Sequence, residues 1–68
     1  MKDLTKKQMS VYLAIKSWVK RQGWAPTIRE LAEEFGVSHA TMFGHLNALD
    51  RKGYIHRGQG ARQIEVCK

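Results

Sequence analysis

Seven residues in the middle of the chain have types and spacing suited to reading a polar surface from outside: Ser38, His39, Ala40, Thr41, Phe43, Gly44 and Asn47. Asn47 carries an amide able to pair with a base edge, and Ala40 and Phe43 suit a thymine methyl. Ala40 and Gly44 are small enough to let a surface approach closely. Ser38, with a helix N-terminus behind it, suits a phosphate. This is recognition chemistry, not catalysis. The chain has no nucleophile with a plausible base and no glycine-rich phosphate loop following a strand. His39 and His45 lie six apart on a helix and face different ways, and no Cys/His spacing resembles a zinc site, so no metal and no other cofactor is expected. His45 precedes Leu46, an apolar residue of the inward stripe, and reads as a partly buried packing residue.

These residues must be positioned by the elements around them. Thr27 and Glu30 form a T-x-x-E capping box, and Pro26 keeps the chain extended up to it. Leu31, Ala32 and Phe35 then share one helical face, and Gly36 ends that helix. Val37 is an apolar plug after the turn, and Ser38 caps the next helix. Met42, Leu46 and Leu49 form its inward stripe. Residues 27–49 therefore read as a helix-turn-helix, with helices over about 28–35 and 39–52. Upstream, Thr5 and Gln8 form a second capping box, with Leu4 and Met9 placed for a hydrophobic staple. The helix it starts, over about 6–22, buries Val11, Tyr12, Ile15, Trp18 and Val19. Leu13 is an exposed candidate on this helix, Gly23 stops it, and Trp24 is placed over the core edge.

After Gly53 the apolar period changes from helical to alternating. Tyr54–Arg57 and Arg62–Val66 read as two strands about the Gly58–Ala61 turn, a hairpin over about 54–66. Ile55, Ile64 and Val66 point towards the helices. Arg57 shares their parity, with freedom at the hairpin tip to swing to solvent. The expected fold is mostly α with a small β-hairpin: a single domain over 1–68, a three-helix winged helix-turn-helix. At 68 residues it has room for a marginal core and none for a deep catalytic cleft.

Charge narrows the partner. The net charge is +6, and residues 51–68 hold +4 of it. A polyanion is the natural partner of such a surface. Thr27, Arg29, Arg51, Lys52, Arg57, Gln59 and Arg62 are the expected phosphate contacts. The competing class is a winged helix used for protein contact through Leu13, Phe43 and the hairpin edge, or an accessory DNA-binding factor that needs a partner. A module for protein contact alone leaves the charge concentration and the small residues on the outward helix face without a purpose. No apolar run reaches membrane-spanning or signal length, and Cys67 alone cannot form an internal disulfide, which fits a reducing cytoplasm.

Several blocks resemble one known family. Leu4-Thr5 with Gln8 and Tyr12, the run Gly23-Trp24-Ala25-Pro26-Thr27-Ile28-Arg29-Glu30-Leu31-Ala32, then Gly44–Leu49 and Arg51–Ile55, are similar to the N-terminal DNA-binding domain of LexA repressors, over about residues 2–66. The resemblance implies a bacterial transcriptional repressor of the DNA-damage (SOS) type. Its second motif helix would lie in the major groove of double-stranded DNA, with a wing at the backbone. A palindromic operator, a homodimer on it, and a nucleoid location follow as expectations, with no small-molecule substrate. Two departures stand out. The segment between Gly36 and His45 is about one residue shorter than the family's, so the family's base preference does not transfer. The family's C-terminal Ser–Lys self-cleaving domain has no counterpart here, so no cleavage chemistry is expected of this chain.

Overall fold

The computed structural model describes residues 4–58 and 64–67. Three helices, α1 (Lys6–Gln22), α2 (Ile28–Phe35) and α3 (His39–Arg51), precede a two-stranded antiparallel hairpin, β1 (Ile55–Arg57) and β2 (Ile64–Val66). This is the winged helix-turn-helix architecture the patterning predicts.

The helices begin where side chains can satisfy their unpaired N–H groups. At α1, the Gln8 N–H donates to Thr5 Oγ1 at 3.1 Å, and the Thr5 N–H donates to Gln8 Oε1 at 3.2 Å. At α2, the Glu30 N–H donates to Thr27 Oγ1 at 3.0 Å, and the Thr27 N–H donates to Glu30 Oε1 at 2.8 Å. Both capping boxes are closed. At α3, Ser38 Oγ accepts the Thr41 N–H at 3.1 Å and donates to Thr41 Oγ1 at 2.9 Å.

Two helix ends share one device that aims the following segment. Gly36 takes φ +66°, and the Val37 N–H donates back to the Ala32 carbonyl at 3.0 Å. Gly53 takes φ +84°, and the Tyr54 N–H donates back to the Leu49 carbonyl at 3.0 Å. Each is a left-handed residue closing a six-to-one bond, where glycine has no Cβ to clash. The first turns the chain from α2 into α3. The second turns it from α3 into the wing.

The core draws on every element. Val11, Tyr12 and Ile15 of α1, Leu31 and Ala32 of α2, Met42, Leu46 and Leu49 of α3, and Ile55 and Ile64 of the hairpin are buried, with Ala25 of the linker. Helix α3 lies at the centre and packs on α1, α2 and β1. The Tyr12 and Tyr54 rings meet edge to face with centroids 5.2 Å apart, fastening α1 to the root of the wing. Trp24 stays half exposed beside Val19, Ile64 and Val66, along a shallow cleft. Among the described residues, no helix is long and apolar enough to cross a membrane.

A candidate nucleic-acid interface on helix α3 and the wing

Helix α3 has two faces with opposite duties. Met42, Leu46 and Leu49 are fully buried. On the other side Ala40, Phe43, Gly44 and Asn47 recur at i, i+3, i+4 and i+7, which places them on one stripe at helical spacing. Ser38, His39, Ala40, Thr41, Phe43 and Gly44 are exposed, and Asn47 is half-buried. His45 is also half-buried, as its place beside the inward stripe predicts.

Gly44 is the informative residue of this stripe. A glycine inside a helix is less favourable than alanine by about 1 kcal/mol. Here a Cβ at position 44 would meet nothing within 4 Å, so no neighbour in the chain needs the space. The room lies outside the protein. The first turn of α3, like that of α1, holds no acidic side chain, so nothing there offsets the positive end of the helix dipole.

The wing meets α3 through a contact that the helical and strand patterns alone do not reveal. Arg57 does not swing to solvent. It stays on the helix-facing side of β1, paired with Ile64 across the hairpin, and is half-buried. Its Nη1 donates to Asn47 Oδ1 at 2.5 Å, and its guanidinium lies 4.4 Å from the centroid of the Phe43 ring. Asn47 is therefore not a free amide on the outward face. Phe43, 41% exposed, has a partner within the chain that the helical pattern alone does not reveal. Charge-assisted hydrogen bonding and cation–π attraction hold the two elements together.

Lys52 is also anchored. Its Nζ donates to Gln8 Oε1 at 2.8 Å, the same oxygen that closes the α1 capping box. The end of α3 is thus tied to the beginning of α1, a role for Gln8 beyond capping. No local sequence signal joins residues so far apart. Arg29 and Arg51 are exposed on α2 and α3, and Thr27 is half-buried in its cap. Gln59 and Arg62, expected at the wing tip, lie outside the described residues. Among the described residues, no group of three His, Cys, Asp or Glu side chains is placed to hold a metal ion.

Comparison with known proteins gives a consistent result. The family model described as the LexA DNA binding domain matches residues 1–63. LexA repressors of Leptospira interrogans and Thermotoga maritima are 41% and 42% identical to the chain over 69 aligned positions that take in all of it. The chain spans only about a third of these curated relatives, 34% of the first and 35% of the second. Because the alignments run over 69 positions and the chain has 68 residues, each needs at least one gap in this chain. The expected shortening between Gly36 and His45 is one place for it.

Proposed function

This chain belongs to the LexA DNA-binding domain family, and from that premise we propose that it is the DNA-reading part of a bacterial transcriptional repressor. The outer stripe of α3 would lie in the major groove of double-stranded DNA, with Ser38, His39, Ala40, Thr41, Phe43, Gly44 and Asn47 towards the bases. Thr27, Arg29, Arg51, Lys52, Arg57, Gln59 and Arg62 would face the phosphates. The observation that carries this reading is Gly44, an exposed mid-helix glycine that no internal contact requires, set between Ala40, Phe43 and Asn47 on one stripe.

The division of labour follows from the chemistry. Phosphate contacts supply affinity and register but no sequence information, whereas the α3 side chains choose the site. Arg57 keeps further N–H donors after bonding Asn47, so it can hold the amide and a phosphate together. Lys52 can serve the backbone from its anchored position near Gln8. A single module of this size buries roughly 600–1,000 Å² on DNA. Binding alone would be weak, and two copies on a palindromic operator would bind more tightly. The same reading places the protein at the nucleoid, with repression following from occupancy of the operator.

Selection from a random duplex library at near-physiological salt tests this proposal. An enriched inverted repeat supports specific readout by a pair of modules. Loss of all binding even at low salt would contradict it and favour a protein-contact role, for which half-exposed Leu13 and Met9 on α1 offer a surface.

A further inference from the structure

The contact joining Asn47, Arg57 and Phe43 bears on which base α3 reads. The inference rests on the DNA reading above and sharpens it at one position.

A free asparagine in the major groove can use its whole carboxamide on adenine, accepting from N6 and donating to N7. Asn47 is not in that condition, because its Oδ1 accepts from Arg57 Nη1. A guanidinium has donors only, so it can be met only by the amide oxygen, and the NH2 group must turn the other way. The arrangement is held from both sides. The Arg57 backbone is fixed in β1 opposite Ile64, and its guanidinium rests over the Phe43 ring at 4.4 Å. The amide orientation is therefore set by the junction of helix and wing before any partner arrives, and no ordering of that side chain is left for the binding step.

What Asn47 then shows to the outside is donors, its NH2 group, with the full positive charge of Arg57 beside it. The amino groups of adenine N6 and cytosine N4 would set donor against donor there. Guanine alone presents two acceptors, N7 and O6, side by side in the major groove. Gly44, three residues before Asn47 on the same stripe, leaves the approach open.

We propose that Arg57 is a positioning residue that turns Asn47 into a reader of guanine, where a free asparagine would read adenine. One contact between the wing and the recognition helix would then determine one base of the site.

The test is duplex selection with the unaltered chain and with Asn47→Ala, Asn47→Asp and Arg57→Met. The methionine keeps an apolar stem over Phe43 while removing the donors and the charge. One half-site position should favour guanine over adenine by about tenfold, the order of a single good bidentate contact. That preference should vanish with Asn47→Ala, and with Asn47→Asp, which keeps a partner for Arg57 but has no donor. With Arg57→Met the same position should change to adenine while the others hold. A merely structural role for Arg57 would lower affinity for every sequence alike and leave each base preference unchanged, and that result overturns the proposal. So does adenine at the Asn47 position in the unaltered chain. If Arg57→Met fails to fold by circular dichroism, the Asn47→Asp arm decides, and guanine surviving there overturns it. Failure of the underlying DNA reading has a separate signature: the folded, unaltered chain enriches no sequence, and the guanine proposal falls with it.

Discussion

Helices α2 and α3 are separated only by Gly36, Val37 and Ser38, yet they obey different rules. Helix α2 has a closed capping box, an acidic residue in its first turn, and apolar residues that are all buried or half-buried. Its cap, its first turn and its apolar face all serve the fold. Helix α3 keeps those rules on its inner stripe, where Met42, Leu46 and Leu49 are fully buried, and breaks them on its outer one. There it places a glycine in mid-helix, an exposed phenylalanine, and no acid to balance the dipole. Local choices that disagree with the fold mark the surface used for something else. Under the proposed function, the difference between the two helices is the difference between support and reader.

The comparison can be broken first at the core. Leu46→Ala on the inner stripe of α3 should cost about 2–5 kcal/mol of stability, enough to unfold a large share of so small a domain. Ala40→Ser, on the outer stripe of the same helix, should leave the thermal midpoint almost unchanged. Thermal unfolding followed by circular dichroism measures both. Equal losses would erase the distinction between the two faces.

The caps give a smaller contrast. Thr27→Ala opens the reciprocal Thr27–Glu30 box and should cost about 1 kcal/mol, as cap removals typically do. Ser38→Ala should cost a similar amount or less, but under the proposed function should also weaken DNA binding beyond what its stability loss explains, since Ser38 is exposed at the N-terminus of α3. Chemical denaturation and a binding titration, run on the same samples, separate the two effects. A Ser38→Ala variant that binds DNA as tightly as the parent would place Ser38 with the support.

A third contrast sets readers against phosphate contacts. Arg29→Ala or Arg51→Ala should weaken binding to all sequences nearly uniformly and make the salt dependence shallower by about one. Asn47→Ala should alter preference among sequences instead. Titrations across several salt concentrations, on a selected and an unrelated duplex, would show whether Arg29 and Arg51 behave as phosphate contacts.

Much of the support was legible in the chain because it is local. Capping boxes, glycines at helix ends and apolar stripes depend on neighbours within a few residues, so T-x-x-Q, T-x-x-E and the change of period after Gly53 suffice to place three helices and a hairpin. The outer stripe of α3 was legible for the same reason: its helical register follows from Met42, Leu46 and Leu49. What escaped were contacts between elements. Lys52 meets Gln8 across the domain, and Arg57 meets Asn47 and Phe43 across the junction of wing and helix. The parity of Arg57 with Ile55 was the available signal, since it put the side chain on the helix-facing side of β1. Solvation of a charge at a hairpin tip argued the other way, and the ring and amide on α3 outweighed it.

The most direct measurement takes Gly44→Ala and Gly44→Leu and determines folding stability and DNA affinity for each. A Cβ at this position meets nothing within 4 Å, and both replacements are better helix formers than glycine. If the outer stripe of α3 is kept for a partner, stability should rise by up to about 1 kcal/mol in both variants, while DNA affinity falls, and falls further for leucine than for alanine. Affinity unchanged in both variants, alongside the gain in stability, would contradict the account, because the space at Gly44 would then serve no partner.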